Sequence, residues 1–221
     1  MPYFKDINGK TILLVHIPKT GGSSLEEYFA SKISLKRETL IEEDHLFSDS
    51  IKESNLKKEF GKTPQHFELK LLIQNKDRFN INIDIAEKIT VVRNPYTRLI
   101  SELLWLKKIN NDSSKEDVYN CTKKAINDYH KNNNVHDNHI RPQYQFLIDE
   151  NNKFYKDLII LRQEKLTEMM KDIGYNDFNE NVFSKKNKPD YNKFLSVPTI
   201  RLINKFYKND FLCFGYKMKV V

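Results

Sequence analysis

The apolar run TILLVHI, residues 11–17, lies between Asn8-Gly9 and Pro18, and it constrains the fold more than any other segment. Its length suits a strand. Its lack of polar alternation marks a strand buried on both faces, as in a parallel sheet. KTGGSS follows, and then Leu25, Tyr28, Phe29 and Ile33 recur at the three- and four-residue intervals of one helix face. The chain therefore opens as strand, glycine-containing turn and helix.

Two more buried strands are predicted at 88–93 (KITVVR) and 157–161 (DLIIL). Asn94-Pro95 caps a helix through Leu99, Ile100, Leu103, Leu104 and Leu106. Ser113 with Glu116 forms a capping box for a helix carrying Val118, Ala125, Ile126 and Tyr129, which stops at the asparagines 132–134. A short helix is expected from His66 to Gln74. Another runs through Leu166, Met169, Met170 and Ile173 to Gly174, and a last one covers 198–207. Residues 36–64 show no period. Strands alternating with helices, without hairpin signals, predict an α/β fold with a mainly parallel sheet.

The 221 residues are 39% hydrophobic with only six Gly and seven Pro, which excludes low-complexity classes and suits a single domain over 1–221. No stretch approaches the roughly 20 apolar residues of a membrane span, and the opening residues lack the apolar core of a leader, so a cytoplasmic protein is expected. Cys121 and Cys213 are too few and too separate for a disulfide scaffold or a four-cysteine zinc site. Residues 183–221 hold nine Lys and Arg against two Asp, which is the whole net charge of +7. A basic end on a neutral body suggests an anionic ligand nearby; a solvated lysine-rich surface is the plainer alternative.

The sharpest chemical feature is HIPKTGGSS, residues 16–24. Gly21 and Gly22 let successive N–H groups converge on one concavity at a helix N-terminus, which is a cradle for phosphate or sulfate. Lys19 adds a mobile charge, and Thr20, Ser23 and Ser24 add hydroxyl donors. This is not the Walker A order, in which Lys follows the glycines. The second buried strand ends in Arg93, where a nucleotide triphosphatase has its Mg²⁺-holding Asp. Arg93 lies at a carboxyl strand end, and Ser101 can share its anion only if the intervening helix packs back over it. Arg98 is expected to form a surface pair with Glu102. The two cradles together predict a ligand with two anionic groups, bound without Mg²⁺.

HIPKTGGSSL followed by VRNPYTRLISEL resembles the two nucleotide signatures of sulfotransferases that use 3′-phosphoadenosine-5′-phosphosulfate, specifically the heparan 2-O- and chondroitin 4-O-like carbohydrate branch. NHIRPQ, residues 138–143, is similar to a His-x-x-Pro-Gln stretch of that branch, and the ending VFSKKNK through FYKNDFLCFGY also resembles it. The resemblance implies a P-loop-like three-layer fold and sulfuryl transfer to a hydroxyl acceptor, a glycan or small molecule. It implies 3′,5′-adenosine bisphosphate as product and no required metal. By the same resemblance Lys19, Thr20, Gly21, Gly22, Ser23 and Ser24 hold the 5′-phosphosulfate, with Lys19 on the leaving phosphate. Arg93 and Ser101 hold the 3′-phosphate, and Ser184, Lys185 and Lys186 close over it.

His66 is the expected catalytic base, by likeness to a His between the two signatures and because imidazole accepts protons near neutral pH. Phe67 and Glu68 depart from the Ala-Thr that follows that His in the branch. His139 is the second choice, and His16 is expected to orient the turn. Glu68 and His45 stand outside these roles. His136, Asp137 and His139 cluster locally but lack a distant third ligand, so no metal site is predicted. Trp105 is expected in an apolar stripe. The rival readings are a P-loop kinase of a small molecule and a nucleic-acid-binding tail. The inverted Lys-Gly order counts against the first, and the neutral body against the second.

Overall fold

The computed structural model describes residues 3–37, 53–183 and 189–221. One sheet runs in the order β1 (Tyr3–Lys5), β2 (Thr11–Val15), β3 (Glu87–Val92) and β4 (Leu158–Arg162). β2, β3 and β4 are parallel, with Leu14 opposite Ile89 and Ile89 opposite Ile159. β1 is antiparallel to β2, with Tyr3 opposite Leu13. The Asn8-Gly9 boundary is thus a hairpin turn, which the sequence reading lacks. The Asp6 carboxylate accepts from the N–H groups of Asn8 and Lys10, both at 2.9 Å, and Gly9 supplies φ +77°.

Alternation in the central strands distributes two cores. Ile12, Leu14, Ile89 and Val91 pack with Leu25 and Phe29 of α1 (Gly22–Lys32) and with Leu166 and Met170 of a later helix. Leu13, Val15 and Val92 pack on the opposite side with Phe67, Phe79 and Phe146. Each such side chain, fully buried, contributes about 1.5–3 kcal/mol. β4 departs from the expected two-faced burial: only Leu161 is buried, because the strand lies at the sheet edge.

Helix α2 (Glu53–Phe60) falls in the segment without a period. A 3₁₀ turn at Pro64–His66 precedes α3 (Leu69–Gln74), so His66 ends a turn rather than opening a helix. Helix α4 (Pro95–Trp105) starts as expected, with Asn94 Oδ1 accepting from Tyr96 N at 3.0 Å. The box of α5 (Lys115–Lys131) sits one residue later than predicted. Ser114 and Asp117 exchange bonds at 3.1 Å, while Ser113 Oγ accepts from Asn110 N in the preceding loop. After β4 come α6 (Leu166–Asp172), α7 (Glu180–Phe183), α8 (Val197–Phe206) and α9 (Lys208–Phe214). Leu99, Ile100 and Leu103 of α4 form a third cluster with Val118 of α5, Ile203 of α8 and Phe211 of α9.

Arg98 overturns its expected surface role. It is 1% exposed, and its guanidinium donates to the carbonyls of Pro18 at 2.9 Å, Arg141 at 3.0 Å and His139 at 3.0 Å. Glu102 pairs with His139 instead. Arg98→Met should lower stability by about 3 kcal/mol in urea unfolding, because three buried carbonyls lose a charged donor. A loss below about 1 kcal/mol would contradict this role.

Candidate active site

β2 and β3 are parallel neighbours, so their carboxyl ends emerge together, where ligands of such sheets bind. After β2 the chain turns sharply: Lys19 has φ +65° and Gly21 φ +102°, and Ser24 N bonds Gly21 O at 3.0 Å. Gly21 occupies the cap position of α1 and has no side chain to take up the first N–H groups, which suits that helix end to an anion. The second glycine answers a different need. A Cβ on Gly22 would lie 2.9 Å from His16 Nδ1. The pair thus combines one positive φ with one close approach.

That His16 ring is held by a buried carboxylate. His16 Nδ1 bonds Glu26 Oε1 at 2.5 Å, and Arg37 donates twice to Oε2, at 2.7 and 2.9 Å. Burial opposes ionisation of Glu26, yet His16 and Arg37 overcome it and hold the carboxyl at about 2. His16 therefore supports the turn, as expected.

Arg93 lies one residue past β3. Gln143, fully buried, accepts from Arg93 N and donates to Arg93 O, both at 2.8 Å, which fixes that peptide. The guanidinium donates to Lys19 O at 3.2 Å and to Thr97 Oγ1 at 3.0 Å, and stands 4.8 Å above the Tyr191 ring. Lys19 Nζ lies 5.1 Å from the Trp105 ring centre.

One cavity of about 950 Å³ joins these parts. Lys19, Gly21, Gly22, Ser23, Arg93 and Ser101 line it, and so do His66, Asp137, His139 and the half-exposed Trp105. Ser101 and Arg93 therefore open on the same cavity. Thr20 and Ser24 are elsewhere. The Thr20 hydroxyl donates to Ile17 O at 2.7 Å, and the Ser24 hydroxyl donates to Phe183 O at 3.3 Å. Both hydroxyls brace the turn from behind. Ser184, Lys185, Lys186 and His45 lie outside the described residues.

The two candidate bases meet: the His66 and His139 rings are 4.7 Å apart and edge-on. His66 Nδ1 bonds Asp137 Oδ2 at 2.8 Å, and Thr63 donates to the same carboxylate from N and from Oγ1, both at 2.6 Å. A carboxylate only accepts, so Nδ1 carries the proton and Nε2 keeps a lone pair. Burial pushes the His66 imidazole down to about 4; the Asp137 bond resists, and His16 and His139 add to the depression. Burial opposes ionisation of Asp137 as well, but the bonds from His66 and Thr63 hold it well below the usual carboxylate range. His139 Nδ1 bonds the buried Glu102 Oε2 at 2.7 Å, and its ring stacks on Trp105 at 4.9 Å.

The sequence reading pairs neither Asp137 nor Glu102 with a candidate base: Glu102 is expected beside Arg98, and Asp137 only in the local His136–His139 cluster. The partner of Asp137 is 71 residues away. Glu68 also matters, though at one remove. It accepts from Lys62 at 2.8 Å and forms an ion pair with Arg141 Nε at 3.0 Å, and Asn138 Nδ2 bonds both Glu68 and His66 O.

Gly22→Ala should push the His16 ring off Glu26 and weaken binding of an anion at the turn at least tenfold by calorimetry; an unchanged affinity would refute the close-approach argument. The unfolded chain takes up a proton at His66 near its ordinary 6.5, whereas the native state resists until about 4. Stability therefore falls as pH drops through that window, by up to about 1.4 kcal/mol per pH unit from this group. His66→Gln should remove that slope in urea unfolding between pH 7 and 4, and an unaltered slope would contradict it.

Searches of curated proteins and of solved structures return no significant match. The profile described as "Sulfotransferase family" matches residues 4–217. That span includes the turn after β2, Arg93 and the four histidines that line the cavity, and the chain belongs to the sulfotransferase family.

Proposed function

We propose that the protein transfers a sulfuryl group from 3′-phosphoadenosine-5′-phosphosulfate to a hydroxyl, on a carbohydrate by preference, and that 1–221 acts as one catalytic domain. The observation that supports this most is the single cavity shared by Lys19, Arg93 and His66. Two cationic walls at neighbouring strand ends suit a donor with two anionic groups, and a neutral imidazole stands in the same space.

In this reading the turn N–H groups, Lys19 and Ser23 bind the 5′-phosphosulfate, while Arg93 and Ser101 bind the 3′-phosphate. Thr20 and Ser24 act only through the shape of the turn, and Ser184, Lys185 and Lys186 close over the nucleotide. His66 Nε2 takes the proton of the acceptor hydroxyl as that oxygen forms its bond to sulfur. The bond from sulfur to the bridging oxygen breaks, and 3′,5′-adenosine bisphosphate leaves with the negative charge against Lys19. Asp137 keeps His66 in the accepting tautomer and steadies the imidazolium that forms. Trp105, 56% exposed in the cavity lining, offers aromatic surface to an acceptor, which supports the carbohydrate preference. Fixed cations and positioning carry the rest of the barrier reduction.

3′,5′-Adenosine bisphosphate should raise the melting temperature equally with and without EDTA. Lys19→Ala should slow transfer about 100- to 1,000-fold, read by mass with labelled donor and a panel of sugar alcohols. Stabilisation that requires Mg²⁺, or turnover unaffected by Lys19→Ala, would overturn this function.

A further inference from the structure

The sequence reading rejects a metal at His136, Asp137 and His139 because no distant third ligand joins them. The fold provides one. Candidate ligand atoms of His66, Asp137 and His139 all lie within 4.8 Å of one another, and His136 is not in the group. A tetrahedral zinc ion with bonds of about 2.0–2.2 Å needs ligand atoms roughly 3.4 Å apart. Metal binding therefore draws the three atoms together by rotation of their side chains. Two imidazole nitrogens and one carboxylate oxygen leave a fourth position open to the cavity, which also serves as the entry path.

The surroundings are those of a supported site. Zinc-binding histidines ordinarily donate their other ring N–H to a carboxylate. His139 does so to Glu102, and Thr63 holds Asp137 with two bonds. A separate observation points the same way. Glu102 Oε1 is one of two buried side-chain atoms without a hydrogen-bond partner among the described residues. That oxygen belongs to the carboxyl group that holds His139 from behind. One carboxylate and two imidazoles thus meet at a spot that a dication would bridge, with the Glu102 carboxylate behind His139.

We propose that this end of the cavity is a transition-metal site, in which Zn²⁺ or a similar borderline cation bound by His66, Asp137 and His139 blocks the enzyme reversibly. The ion replaces the proton on His66 Nδ1, so the neutral ring carries its proton on Nε2 and has no lone pair for the acceptor hydroxyl. The blocking rests on the proposed sulfuryl transfer, whereas the metal site itself does not. Hard Mg²⁺, which prefers oxygen ligands, is not expected to compete.

Co²⁺ titrated into the EDTA-stripped and desalted protein should give tetrahedral visible bands saturating at one ion per chain, displaced by Zn²⁺. His139→Ala should weaken binding more than 100-fold and Glu102→Gln about 10- to 100-fold, while His136→Ala leaves it unchanged. Circular dichroism checks that each variant is folded. Absence of saturable bands, or wild-type affinity in folded His139→Ala, overturns the site whatever the enzyme's reaction. Zn²⁺ at the concentration that displaces Co²⁺ should abolish sulfuryl transfer, and EDTA should restore it. Transfer that continues with the metal bound, or is stimulated by it, overturns the blocking.

Discussion

The buried guanidinium of Arg98 holds the site's parts in one place. Its three acceptors lie in irregular segments: Pro18 in the turn after β2, and His139 and Arg141 in the loop after α5. Carbonyls in such segments lack the partners that a helix or sheet would give them, and burying them unpaired is costly. One planar cation satisfies all three, and the interactions offset its own desolvation. A lysine ammonium could not span the same acceptors from one fixed fork. The anion turn and the histidine loop are therefore referenced to the same side chain on α4. Their separation is set by that one side chain.

The same electrostatic device recurs three times around the cavity, with different consequences. Glu26, Asp137 and Glu102 each bond the Nδ1 of a histidine, respectively His16, His66 and His139. In every pair the carboxylate fixes which nitrogen carries the proton. Glu26 is saturated by Arg37 and Gln65 as well, so its histidine is locked and serves as packing behind Gly22. Asp137 is saturated by Thr63, which leaves His66 held but facing the cavity. Glu102 has one oxygen to spare. The three pairs thus differ in how fully the carboxylate is satisfied.

Local rules made much of this architecture readable. Apolar runs located β2, β3 and β4 to within two residues at each end, and Asn94-Pro95 marked the start of α4. β1 escaped because three residues carry no period. α2 escaped because Leu56 is the buried apolar residue in an otherwise polar stretch. Arg98 was misread for a more instructive reason. A spacing of four on a helix suggests a pair with Glu102, but tertiary acceptors outcompeted that neighbour. The site divides in the same way. The glycine turn, Arg93 and the candidate bases could be found from sequence, whereas Glu102 lies 37 residues from His139 and Asp137 lies 71 from His66. Only the fold supplies those pairings.

Backbone strain explains how these distant partners are kept in register. His136, Asp137 and Asn138 adopt φ of +51°, +56° and +67° in succession. Left-handed residues other than glycine cost on the order of 1 kcal/mol each, least for Asn, Asp and His, the residue types found here. The distortion persists because its side chains are bonded to another segment. Asp137 accepts from Thr63, and the buried Asn138 donates to His66 O and to Glu68, itself neutralised by Lys62 and Arg141. A relaxed right-handed turn would carry Asp137 away from His66 and separate the two histidine walls. The cost of the strained triplet is therefore tied to the 4.7 Å approach of the His66 and His139 rings, and it keeps that end of the cavity assembled before any ligand arrives.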